Sequence, residues 1–175
     1  MRSEWNSIIW SQFGAAIDML DRALKAFPDD RLVDRTQSPE LWYVAYHTLF
    51  WLDLYLTGSM EGFRPPEPFG LEELDPAGVI PESPIDKASL VAYLEHCRAK
   101  ARSMLASFDD EKAGQICTFP WGSLSYAELL IYNMRHVQDH AAQLNHILGQ
   151  TYGDAPDWVG RAPDPLQTGG ERTDG

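Results

Sequence analysis

Apolar residues recur at three- and four-residue steps in four separate stretches of the chain, the spacing that lines one face of an α-helix. In the first, from about Glu4 to Phe27, a single stripe is formed by Trp5, Ile9, Phe13, Ala16, Ile17, Leu20, Leu24 and Phe27. Ser3 stands at the expected N-cap and Pro28 closes the segment. The second runs from about Pro39 to Thr57, with Ser38 and Pro39 as the expected cap and first-turn pair and Gly58 as the stop. Its sequence, LWYVAYHTLFWLDLYL, is apolar on nearly every face, which predicts the most buried helix. The third runs from about Asp86 to Phe108, with Leu90, Leu94, Cys97, Ala101, Met104, Leu105 and Phe108 on one side. The fourth starts after Ser125, where Ser125 and Glu128 spell a capping box, and Gly149 is its expected stop.

What lies between these segments shapes the fold class. From Ser59 to about Pro84 the chain holds Pro65, Pro66, Pro68, Pro76, Pro81 and Pro84. Bundle connections usually span about two to eight residues, so this one either wraps the bundle or covers a site. The link before the fourth helix, QICTFPWGSLS, reads as irregular, with no strand-like alternation. The expected architecture is all-α: a four-helix bundle over residues 1–152 with a long crossover-type connection between helices 2 and 3. The tail, 153–175, is rich in Gly, Pro, Asp and Thr and is expected to be mostly disordered, with Trp158 anchoring its first part.

Charge and composition narrow the function classes. A formal net charge of −12 repels phosphate backbones and anionic lipid, arguing against nucleic-acid binding and membrane docking. The longest apolar run, Leu41 to Leu56, is interrupted by His47 and Asp53 and is shorter than the roughly 20 residues of a bilayer span. The first residues show no long apolar core of a signal peptide. The two cysteines, Cys97 and Cys117, lack CxxC spacing, which fits a reducing compartment. Together these predict a cytoplasmic protein. Six Trp, seven Tyr and seven Phe imply a well-packed interior or a dimer interface.

Candidate chemistry sits on the fourth helix, SYAELLIYNMRHVQDHAAQLNHILG. Beside its apolar stripe runs a second line of Asn133, His136, His140 and Gln143. His136 and His140 are one turn apart, with Cβ atoms about 5–6 Å from each other, close enough to share a divalent ion. A bare HxxxH also arises as two half-buried polar residues at a core edge. His47, midway along the most apolar helix, changes the balance, because a buried imidazole without a partner costs on the order of 1–3 kcal/mol. A lone core histidine bonded to a carbonyl would satisfy it. So would a site of three neutral imidazoles from two helices, with a position left open. His146 lies about 240° round the helix from His140 and, like His96, reads as a surface residue. Asp53 is expected to take a structural partner such as an Arg, or to meet solvent at the helix edge, and not to serve in catalysis. Cys97 and Cys117 have no flanking base or cation and read as buried apolar residues.

In WYVAYHTLFWLDLYL with His47, in HVQDHAAQL with His136, His140 and Gln143, and in the TFPWGSLSYAELL link, the chain resembles the DinB-like, damage-inducible proteins and the related YfiT-like metal-dependent hydrolases. The likeness spans about residues 1–150. It implies a four-helix bundle with a long second connection, and His47, His136 and His140 as ligands of a divalent metal ion: nickel or zinc first, iron or manganese next. It also implies homodimers and a small-molecule substrate. Among characterised relatives are thiol-dependent S-transferases and an isomerase using low-molecular-weight thiols such as bacillithiol or mycothiol.

Two functions therefore compete. One is a metal-dependent transferase or hydrolase with an open three-histidine site. The other is a non-catalytic, metal-binding dimeric module, stress-related, in which a fourth protein ligand closes the site; Glu61, Glu67, Glu72 and Glu73 in the long connection are the available donors.

Overall fold

A computed structural model describes residues 2–36 and 38–166. Four long helices make up the body: α1 (Arg2–Ala26), α3 (Leu41–Thr57), α4 (Lys87–Ala106) and α6 (Tyr126–Tyr152). Two short ones, α2 (Asp29–Leu32) and α5 (Asp110–Gly114), sit in the connections. The all-α bundle expected from periodicity is what forms. In α3, thirteen of seventeen residues are buried, the price-free consequence of a helix with no polar face.

Helices adjacent in sequence are not always adjacent in space. Each of α1 and α3 packs against both α4 and α6, so α1 lies diagonally opposite α3, and α4 opposite α6. Hence α3 and α6, which carry the three candidate histidines, are direct neighbours. Their shared core includes Leu49, Leu52, Leu130 and Val137, all essentially inaccessible to solvent. Asn133, fully buried, donates from Nδ2 to the Leu52 carbonyl at 3.1 Å and ties the two helices together.

Several boundaries differ from expectation. At the N-terminus α1 already runs from Arg2, which places Ser3 inside the helix and not at its cap. α3 begins at Leu41, with Glu40 and not Ser38 at the cap position. The Glu40 carboxylate caps nothing, because it accepts from Trp42 Nε1 at 2.7 Å and pairs with Arg35 at 3.3 Å. Gly58 does stop α3: its φ is 79°, and an added Cβ would lie 2.6 Å from the Tyr126 ring, so conformation and space both require glycine. The Ser125 hydroxyl accepts from the Glu128 amide at 3.2 Å, as a cap should. α6 continues through Gly149 to Tyr152 and ends at Gly153, φ 70°.

The link read as irregular is a β-hairpin. β1 (Ile116–Phe119) pairs antiparallel with β2 (Gly122–Ser125), Phe119 facing Gly122 across a two-residue loop of Pro120 and Trp121. Cys117 and Phe119 alternate inward against exposed Ile116 and Thr118. Four residues per strand are too few for that alternation to stand out amid turn-forming neighbours.

The stretch expected to be disordered after residue 153 also makes specific contacts as far as Leu166. Trp10 Nε1 donates to the Asp164 carbonyl at 2.7 Å, and the Ala162 amide to the Ser11 carbonyl at 2.8 Å. Val159 and Leu166 are buried, whereas Trp158, the expected anchor, is 69% exposed. Residues 167–175 lie outside the described part. Among the described residues no helix is long and apolar enough to cross a membrane.

Candidate metal centre

The helical spacing of His136 and His140 puts both rings on the α3-facing side of α6, their centroids 4.7 Å apart. His47 comes from α3 to meet them, at 5.4 Å from the His136 ring and 5.2 Å from that of His140. One ligating nitrogen from each of the three lies within 4.8 Å of the others, so these side chains form a group able to hold a metal ion. His47 Nε2 and His136 Nε2 are 3.4 Å apart. Two nitrogens bound to one tetrahedral zinc at 2.0–2.1 Å stand about 3.3 Å from each other, so that separation fits a shared ion.

The outer nitrogens decide which lone pairs are free. His47 Nδ1 is 2.7 Å from Glu73 Oε2, and because a carboxylate only accepts, Nδ1 carries a proton and Nε2 is the lone pair of the neutral tautomer. His140 Nδ1 faces the Gln143 carbonyl oxygen at 3.1 Å, which in the same way leaves Nε2 as the lone pair. His136 Nδ1 is buried and has no hydrogen-bond partner among the described residues. Burial, reinforced by His140 and His47, lowers the His136 pKa to about 3, with Glu73 acting weakly the other way. The ring is therefore neutral at any ordinary pH, the state a ligand needs.

Glu73 arrives on a short 3₁₀ turn, Glu72–Leu74, within the long connection. Its side chain is 4% exposed. Burial alone would raise its pKa, but hydrogen bonds from His47, Tyr43 and Trp51 outweigh that and hold it below the ordinary carboxylate value. The Trp51 indole donates to the same oxygen, Oε2, at 2.8 Å. Glu72, its neighbour, accepts from the Tyr46 hydroxyl at 3.4 Å.

An aromatic wall borders the histidines on the hairpin side. Tyr55 stands edge-on to His136 at 6.3 Å and meets Phe119, Trp121 and Tyr132 at 5.1, 6.1 and 5.5 Å. Trp121 stacks on Tyr132 at 4.9 Å. On the α6 surface a groove of about 550 Å³ reaches His136 between Tyr132, Arg135, Asp139 and Ala142.

Of the residues singled out from sequence, His47, His136, His140 and Gln143 come together. Asn133, on the same helical line, belongs to helix packing instead. Of the four glutamates considered as closing donors, Glu61 and Glu67 are exposed and Glu72 bonds Tyr46, while Glu73 bonds the far nitrogen of His47; none joins the cluster. His146 is exposed as expected. His96, 45% exposed, stands 3.6 Å from Asp53. Asp53 pairs with Lys100 at 2.5 Å and not with an arginine. Both cysteines are free and buried, and burial pushes both thiols up, so neither is poised as a nucleophile. Trp51, Tyr43 and the hairpin aromatics were not foreseen. Their only sequence signal is position: Tyr43 and Trp51 lie at i−4 and i+4 from His47, on its own helical face.

None of the curated proteins matches this chain. The DinB superfamily model matches residues 12–144, in agreement with the helical fold, and the chain belongs to the DinB superfamily.

Proposed function

We propose that His47, His136 and His140 bind one divalent metal ion, zinc or nickel first among the candidates, and that the protein is a metal-dependent enzyme acting on a small molecule. The observation that carries this reading is the convergence of three imidazoles whose ligating nitrogens lie within 4.8 Å, with no carboxylate or thiol joining them among the described residues. Three ligands leave a tetrahedral ion one open position. An ion so held lowers the pKa of a coordinated water or thiol toward neutrality.

The chain's own residues prepare that position. Glu73 and Gln143 hold the His47 and His140 rings, and burial keeps His136 neutral. The aromatic wall shields the hairpin side, and the groove at His136 offers an approach. Among the described residues no carboxylate joins the three nitrogens, and Glu73 stands behind His47, bonded to its far nitrogen. Transfer to a low-molecular-weight thiol therefore fits better than hydrolysis, because a thiol activated by the ion needs no separate base. A homodimer in the cytoplasm completes the reading. The competing non-catalytic module needs a fourth protein donor, and the glutamates available for that role are engaged elsewhere or exposed.

Metal content of the wild type and of His140→Ala tests the binding. One equivalent is expected in the wild type and almost none in the variant; near-zero content in both sinks the proposal. With zinc- or nickel-loaded protein, a panel of electrophiles and thiols should yield thiol adducts above the metal-free rate. Hydrolysis products without adducts would move the assignment to a hydrolase.

A further inference from the structure

The long connection between α3 and α4 is more than a link, because it reaches the histidines at one point and is fastened elsewhere. Phe69 inserts its ring between the two helices, stacked on Tyr93 at 4.4 Å and 26° and on Tyr46 at 5.8 Å and 18°. Phe63 is buried against Phe50, with centroids 5.4 Å apart. From the Phe69 anchor the chain turns through Glu72–Leu74, closed by a bond from the Leu74 amide to the Leu71 carbonyl at 2.9 Å. That turn sends Glu72 to Tyr46 and Glu73 to His47, adjacent residues of the connection onto adjacent residues of α3.

Glu73 is an unusual residue to bury. A carboxylate removed from water is costly unless its oxygens are paired. One oxygen, Oε2, takes both His47 Nδ1 and Trp51 Nε1, while Oε1 is buried with no partner meeting hydrogen-bond geometry. The Tyr43 hydroxyl also stands close to the carboxylate and helps keep it charged. Both strong bonds fall on the atom that faces His47.

We infer that Glu73 is a positioning residue of the metal centre: it sets the tautomer and orientation of His47, and through it the crossover connection becomes part of the site. This rests on the metal reading above. With Nδ1–H committed to Glu73, the His47 lone pair stays on Nε2, 3.4 Å from His136 Nε2. A carboxylate behind a ligating imidazole also makes it a stronger donor. Because the same bond holds the connection down, metal binding and closure of residues 59–85 are linked, and each favours the other.

Zinc and nickel titrations of full-length wild type, Glu73→Gln and Phe69→Ala, each checked for native helicity, test this. Glu73→Gln should bind either ion about 10- to 100-fold more weakly, the effect usual for removing such a partner. Phe69→Ala, which touches no ligand, should weaken binding less. In both variants limited proteolysis should cut within 59–85 faster than in wild type, and zinc should slow that cutting in wild type. Folded Glu73→Gln with wild-type affinity for both ions overturns the inference and leaves the three-histidine site intact. Loss of binding in His140→Ala, measured alongside, separates that outcome from failure of the metal reading itself. Should Glu73→Gln not fold, the ring-nitrogen shifts of His47 in metal-free wild type decide. A proton on Nδ1 is expected, and a proton on Nε2 overturns the assignment.

Discussion

His47 and Asp53 both interrupt the apolar run of α3, six positions apart, and the bundle treats them oppositely. Asp53, wholly buried, is surrounded by donors: Lys100 at 2.5 Å and the Tyr93 hydroxyl at 3.2 Å, with His96 3.6 Å away. Lys100 goes on to bond the Asp53 carbonyl and the Thr57 hydroxyl, so the α3–α4 seam closes with its charges matched. His47 faces α6 and meets two more imidazoles, which bring further lone pairs and no anion between them. Its only strong partner, Glu73, stands behind it. A saturated buried group explains itself as structure. Three imidazoles that converge with no anion between them are arranged for something that accepts lone pairs.

The sharpest way to break the contrast is to unbalance the saturated side. Lys100→Met removes the counter-charge and leaves Asp53 buried with Tyr93 and His96. Chemical denaturation should show a loss of about 3 kcal/mol, the lower end for breaking a buried pair. His140→Ala should leave metal-free stability within about 1 kcal/mol of wild type, since it strands no charge. If the two losses are equal, the division into structural and binding sites is wrong.

Metal is the next test. Zinc at about 100 times its dissociation constant should stabilise the wild type by about 2.7 kcal/mol and leave His140→Ala unchanged. Thermal melts with and without zinc measure both, and equal stabilisation of the two would place the ion elsewhere. Lys100→Met that still folds should retain its zinc response, because its defect lies on the other face of α3.

A smaller effect refines the saturated side. Tyr93→Phe deletes one hydrogen bond to Asp53 but keeps the ring that stacks on Phe69, and should cost about 1 kcal/mol. A much larger loss would mean that the hydroxyl, and not Lys100, is the main partner of Asp53.

How legible this was from the sequence varied with the range of the interaction. His136 and His140 were readable as a pair because four residues on a helix is a fixed geometry. His47 was expected to be buried because its helix is so apolar; its side chain is 32% exposed, at the edge of the buried surface of α3. Glu73 was visible only as one of four glutamates in a long connection. The expected role was a closing ligand; instead it bonds the nitrogen of His47 that points away from the cluster. Nothing local in EELD distinguishes Glu73 from Glu72, and their targets differ because Phe69, wedged between two helices, fixes where the turn lands. For Asp53 the expectation was an Arg-like partner or solvent at the helix edge; it is wholly buried, and its cation is a lysine on a helix packed across from it. The hairpin was missed because each strand has four residues. The contacts of residues 157–166 were missed because much of that stretch is held through its backbone, with carbonyls accepting from Trp10, Gln12, Arg22 and Arg102, and composition does not report backbone bonding.

By itself, then, the sequence determined the helices, their buried faces and the pairing of His136 with His140, because helical period and hydrophobic burial act between residues a few positions apart; His47 joined them only through the family resemblance. Only the tertiary structure decided that α3 and α6 are neighbours, that His47 points its Nε2 inward, and that a glutamate from the crossover holds it there. Those depend on which surfaces pack together across the bundle, and that is settled by the whole chain at once.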